Sequence, residues 1–172
     1  MIFAIESLEN IWDEFIVLCA EHWKETEGYR HNQPFNLSKE RYLGYEKAGW
    51  YLQFTARDEG KLVGHVGIYV LPSMHSQQLI ANEDMLFLLP EARKGRNALR
   101  LHQFVEDEMR RRGVVEITAT VKPFNNAGKL LEYLGYSMVT YGYSKHLTQC
   151  ADSAITPLME SDYVRPITPA TT

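Results

Sequence analysis

The chain has 172 residues, 45% hydrophobic and 23% charged, with a net charge of −4. That length and balance fit one globular domain with its own core, and the acidic surplus argues against a general binder of nucleic acid or of anionic membranes. Cys19 and Cys150 form no paired framework, and the opening MIFAIESLENIWDEF has neither a basic start nor a long apolar run, so the expected compartment is the reducing cytoplasm.

MIFAIE alternates apolar with small or polar residues and reads as a short first strand. Ser7 is placed to cap the helix that follows. Leu8, Ile11, Trp12, Phe15, Leu18, Cys19 and Trp23 recur at three- and four-residue spacing, one apolar helical face ending near Gly28. On that face Cys19 is a buried thiol. His22 and Glu25 share the helix at i,i+3 but have no further ligands near them in sequence, so no metal is expected. Ser38 is a second N-cap, Leu37 and Tyr42 match a hydrophobic staple, and Gly49 marks a stop.

GWYLQFTAR and KLVGHVGIYVL flank DEGK and predict a hairpin. PSMHSQQ is a polar connection, and LIANEDMLFLL is a further strand ended by Pro90. A long helix follows, with Ala98, Leu101, Val105 and Met109 on its apolar side. It stops at Gly113 after Arg110, Arg111 and Arg112, where the dipole favours cations. VVEITATV is a β-branched strand, NNAGKLLEYLG a short helix ending at Gly135, and YSMVTYGYSKHL one or two closing strands. Residues 148–172 hold three prolines and many Ser and Thr and read as an extended or disordered tail. The order β-α-α-β-β-β-α-β-α-β(β) implies an α/β domain over 1–147, a mixed sheet with helices on its faces.

One stretch runs against helix electrostatics. In LLPEARKGRNALRLHQF, the cations Arg93, Lys94, Arg96 and Arg100 gather where the long helix begins, at the positive pole of its dipole. The first backbone N–H groups of a helix lack intrahelical acceptors and suit a phosphate, which would also relieve the repulsion among these side chains. Long basic side chains pointing into solvent are the plain alternative.

PEARKGRNA resembles the acetyl-CoA-binding signature of the GCN5-related N-acetyltransferases (GNAT), Arg/Gln-x-x-Gly-x-Gly/Ala after a strand and a Pro-Glu-x-Arg turn. Ala98 fills the final slot, Arg96 stands where the pattern has its first Gly, and Gly95 comes one position early. The resemblance extends over 1–147, through HWKETEGY, the ARDEGKLVGHVGIYV hairpin and the closing LEYLGY, and points to a bacterial or phage-encoded subfamily. It implies the GNAT fold, with two splayed central strands, Glu83–Leu89 and Val115–Val121, holding the pantetheine arm. It implies that Phe87, Leu88 and Leu89 bind that arm through backbone groups, that Arg93, Lys94, Gly95, Arg96, Asn97 and Ala98 take the pyrophosphate, and that Asn126 joins the cofactor site.

The implied function is acetyl-CoA-dependent N-acetyl transfer to a primary amine, directly in a ternary complex. Amine transfer needs a base, a polarised carbonyl and a stabilised leaving thiolate. Glu83 and Asp84 are the candidate bases. Strand alternation sends their side chains to opposite faces, and the resemblance leans to Asp84. His75 is a candidate at the acceptor site. The family's Tyr acid falls at Leu131 and Tyr133 lies about 200° around the helix from it; either another Tyr approaches the sulfur, Tyr141 and Tyr143 being the candidates and Tyr143 the one taken as the site residue, or the thiolate leaves without a side-chain acid. Trp23, Tyr29 and Phe35 fall in the loop that walls the acceptor pocket in this family. The acceptor stays open among protein lysine, an N-terminus, a polyamine and an aminoglycoside. A homodimer is also open. The missing Tyr supports an alternative, a CoA-binding interaction protein with this fold and little or no catalysis.

Overall fold

The structure, a computed structural model, describes residues 1–29, 34–122 and 124–145. In chain order it has β1 (Ile2–Ile5), α1 (Leu8–Thr26), α2 (Lys39–Lys47), β2 (Tyr51–Asp58), β3 (Lys61–Pro72), β4 (Leu79–Leu88), a 3-10 turn at Pro90–Ala92, α3 (Asn97–Arg111), β5 (Glu116–Thr118) and α4 (Ala127–Tyr133). The strands form one sheet in the order β1-β2-β3-β4-β5. Neighbours are antiparallel except β4 and β5, which run parallel.

Period-2 alternation gives the sheet two apolar faces. Phe54, Ala56, Val66, Ile68 and Leu88 meet Leu101, Val105 and Met109 of α3. Tyr51, Leu62 and Phe87 meet Leu8, Ile11, Trp12, Phe15, Leu18 and Cys19 of α1. Each helix therefore covers one face with the stripe its spacing marked out. A fully buried Leu or Phe contributes ~1.5–3 kcal/mol by leaving water, so these two seams hold the helices to the sheet.

The DEGK turn forms as a two-residue hairpin between Asp58 and Lys61. Glu59 and Gly60 both take positive φ, 49° and 84°, which matches the right-handed twist of the flanking strands. Ser38 caps α2 by accepting from the Arg41 N–H. Ser7 does not cap α1 with its side chain. Glu46 of α2 does so instead. Its Oε1 accepts from the Leu8 N–H at 2.9 Å and its Oε2 from the Ser7 hydroxyl at 3.0 Å, which places a carboxylate on the positive end of α1.

Two expectations need correction. The strand over VVEITATV shrinks to Glu116–Thr118, because the chain leaves β4 beyond that point and loses its ladder partner. Among the described residues no closing strand runs over 136–145: the Tyr136 N–H donates to Leu131 O of α4, and Met138, Val139, Tyr141 and Tyr143 are exposed. Residues 146–147, Cys150 and the rest of the tail lie outside the described residues. No described helix is long and apolar enough to cross a membrane.

Candidate active site

The site begins where two parallel strands part. β4 pairs with β5 only through Ile80, Ala81 and Asn82, opposite Glu116, Ile117 and Thr118. β4 then continues to Leu88, so from Glu83 onward its β5-side edge is unpaired among the described residues. The gap opens into a cavity of about 340 Å³. Its walls come from α1 (Cys19, His22, Trp23), the chain before α2 (Phe35, Leu37), Tyr42 of α2, and Glu83 to Leu86 of β4. Thr120, Val121 and Lys122 close the far side.

Sequence alternation would leave only one of Glu83 and Asp84 facing this cavity. Both line it. The register explains why: Gly67 pairs with Met85 and Ile68 with Glu83, so Asp84 has no partner on β3 and forms a bulge beside the open edge. Asp84 is exposed at the mouth, and its Oδ2 accepts from the Tyr42 hydroxyl at 2.8 Å. The protein packed around its inner side partly strips water from the Asp84 carboxyl and raises it above the ordinary range, and the Tyr42 bond pulls the other way. Glu83 is the more enclosed. Burial first, and the neighbouring Asp84 charge second, push its carboxyl up to about 7.

Below the acids lies a neutral floor. His22 stacks on Phe87, ring centroids 5.0 Å apart, and His65 is fully buried with its Nε2 4.0 Å from Cys19 Sγ. Burial depresses both imidazoles, His22 to about 4 and His65 to about 3. Burial, then the Asp84 charge, push the Cys19 thiol up, so it stays protonated and is not a nucleophile.

At the other end of the open edge stands the basic turn. Gly95 takes φ +59°, and Arg96 takes φ −108° as the residue before α3. The one left-handed position of this loop therefore sits at Gly95, and Arg96 occupies the usual Gly slot without strain. Among the described residues, the N–H groups of Gly95, Arg96, Ala98 and Leu99 donate to no backbone acceptor, while Asn97 N–H reaches Lys94 O at 3.3 Å. These free donors sit at the dipole's positive pole, a geometry that suits an anion. The Asn97 side chain is occupied, donating from Nδ2 to Ala92 O at 3.0 Å.

Several expected site residues are placed otherwise. Arg93 turns from the free N–H donors toward α1 and the sheet. Its Nη2 lies 2.7 Å from Glu25 Oε2 of α1, its Nε donates to Leu88 O at 2.8 Å, and its guanidinium covers the Phe87 ring at 5.2 Å. Leu89 N–H is bonded to Val63 O, which fixes the ladder phase. By alternation the backbone groups of Phe87 and Leu89 turn to β3, and those of Leu86 and Leu88 face the open edge. Leu88 N–H is then available to a ligand, while its carbonyl is held by Arg93. Lys94 is exposed beside the free N–H donors. Asn126 is the exposed N-cap of α4, and it is Asn125, absent from the residues expected from sequence, that lines the cavity.

His75 lies in the exposed β3–β4 turn, beyond the Pro72–Leu79 pair. Five strand residues, about 16 Å, separate Leu79 from Asp84, so His75 does not reach the cavity. Tyr143 is 96% exposed and lines no part of it. Leu131 is 8% exposed and brings no hydroxyl, and Tyr133 is 74% exposed. Tyr42 is the tyrosine that lines the cavity among the described residues. It comes from an element whose sequence pattern pointed only to packing.

A family model described as the acetyltransferase (GNAT) family matches residues 10–136. No curated protein is similar enough to the chain to match. Among solved structures, the chain resembles a ribosomal-protein-alanine N-acetyltransferase from Brucella melitensis biovar Abortus 2308 at 20% identity and a TM-score of 0.65, over 85% of this chain and 99% of that one. It also resembles an aminoglycoside acetyltransferase from an uncultured soil metagenomic sample at 17% identity and a TM-score of 0.65, over 86% and 100% of the two chains. A transcriptional regulator from Bacillus halodurans C-125 is as similar in shape, with a TM-score of 0.67 at 16% identity over 84% and 98%. Likeness at these identities establishes the shared fold.

Proposed function

The chain belongs to the acetyltransferase (GNAT) family, and from that premise we propose that it is an acetyl-CoA-dependent N-acetyltransferase that moves the acetyl group directly to a primary amine within a ternary complex. The observation that carries this reading is the Glu83–Asp84 pair, set in a cavity at the open edge of β4. Acetyl-CoA, when bound, supplies an activated acetyl thioester. The residues present fit such a ligand: the free N–H groups of Gly95, Arg96, Ala98 and Leu99 suit its pyrophosphate, and the unpaired edge at Leu86 and Leu88 suits its amide-bearing arm.

The chain's own residues then divide the proton work. An amine arrives as an ammonium ion. Asp84, at the mouth and held by Tyr42, binds that charge. Glu83, with its carboxyl near 7, accepts the proton at neutral pH and gives it up again to solvent. This moves the base from Asp84 to Glu83.

Thermal denaturation with acetyl-CoA, paired with thiol release on adding amines, tests the reading. A ligand at a hundred times its Kd stabilises by ~2.7 kcal/mol, a shift of several degrees. No shift at saturating acetyl-CoA, together with no thiol release, would falsify the proposal. The alternative, CoA binding without catalysis, rests on the apolar Leu131 and predicts the shift without the thiol.

A further inference from the structure

We propose that the acceptor carries a single ammonium group on an apolar stem, and that this cavity discriminates against polycations such as polyamines and aminoglycosides. The inference rests on the acetyltransferase reading and adds the chemistry of its second substrate.

Charge on the cavity wall is the first argument. The carboxylates among the described lining residues are Glu27, Glu83 and Asp84. Glu27 is already engaged by Lys122, which lines the same cavity. Glu83 and Asp84 are adjacent in sequence, so their charge is concentrated at one point of the wall. Burial raises both carboxyls, so the pair presents less than two full negative charges at this point. One ammonium satisfies it. A second ammonium further along the same substrate finds no free carboxylate, and at the far side it approaches the Lys122 cation.

The second argument is the remaining surface. Trp23 and Phe35 pack with ring centroids 6.0 Å apart, and with Leu37 and Met85 they make an apolar wall. A hydrocarbon stem gains by covering that wall. An ammonium placed there trades its hydration for aromatic ring faces, with no carboxylate among the described wall residues to pair with it.

The same chemistry has two sources, a free monoamine and the lysine side chain of a peptide. Thiol release with the full chain and acetyl-CoA is measured for hexylamine, phenethylamine and an N-acetylated lysine peptide, against spermidine and kanamycin. At least one single-ammonium acceptor is expected to exceed both polycations by tenfold or more in kcat/KM. The peptide arm separates a protein lysine from a free amine. In Phe35→Glu, a carboxylate added to the apolar wall should raise relative turnover of spermidine at the expense of hexylamine, and an unchanged thermal shift with acetyl-CoA verifies that this variant is folded. Faster turnover of spermidine or kanamycin by the native chain overturns the inference and leaves the transferase standing. Absence of turnover with every amine overturns both.

Discussion

Tyr42 and Asp84 are joined across the mouth of the cavity, the hydroxyl donating 2.8 Å to Oδ2. The ring is fixed by edge contacts with Phe15 and Tyr51, at 6.4 and 5.1 Å between centroids, so the bond is held by packing on α2. Burial and the Asp84 charge push the Tyr42 hydroxyl up, so it remains a donor. Tyr42→Phe keeps the ring and removes the bond that lowers the Asp84 carboxyl. Asp84 then protonates at higher pH, and the acid limb of the amine KM moves upward. The expected loss at neutral pH is roughly tenfold in KM, the worth of one charge-assisted bond of ~1.5 kcal/mol, with kcat changed less. A pH profile identical to the native one would remove Tyr42 from the site.

Glu83 links activity to stability. Its carboxyl titrates near 7 in the fold against an ordinary 4.5. Below 4.5 both folded and unfolded chains hold the proton, and Glu83 changes nothing. Between 4.5 and 7 the unfolded chain releases it first, so stability falls as pH rises, and the deficit is complete above 7. Glu83→Gln cannot ionise. Its gain over the native chain should be near zero at pH 4 and on the order of 1–3 kcal/mol at pH 8, since each tenfold change in proton affinity is worth ~1.4 kcal/mol. The same substitution should lower kcat by 10²–10⁴, the usual contribution of a general base. Urea melts at the two pH values and steady-state rates read both effects. An equal stability difference at pH 4 and pH 8 would show that Glu83 is not held near neutrality.

What the sequence made legible was local. The stripe Leu8 to Trp23, the DEG turn and the stop at Gly113 are short-range patterns, and each produced its element. Charge at the head of α3 coincides with unbonded backbone N–H groups, because a helix start and a glycine with φ +59° are also local. Long-range pairing was not legible. Glu46 caps α1 from 38 positions away, and nothing near Ser7 announces it. The bulge at Asp84 depends on the β3 register, so alternation alone misassigned the two acids. Asn125 escaped for a similar reason, since only the divergence of β5 from β4 brings it to the cavity.

The basic turn separates into one residue that binds the fold and one that shapes the free N–H donors. Arg93 ties Glu25 of α1, Leu88 O and the Phe87 ring into one contact, all on the sheet side of the loop. Its ion pair is half exposed, so its removal is expected to cost only ~1 kcal/mol, mostly from the Leu88 bond. Gly95 makes no close contact, and a Cβ there would meet open space, so its role lies in its φ of +59°. Gly95→Ala strains that conformation by ~1 kcal/mol and tilts the free N–H groups away from a common anion. The two substitutions should therefore match in thermal stability and differ in ligand affinity. Calorimetric titration with CoA is expected to show Gly95→Ala weaker by tenfold or more and Arg93→Ala within about threefold of native, since a phosphate cradle loses each misdirected charge-assisted donor at ~1.5 kcal/mol. The opposite ranking would return the pyrophosphate to the Arg93 side chain and remove the backbone cradle as the reason for positive charge at the head of α3.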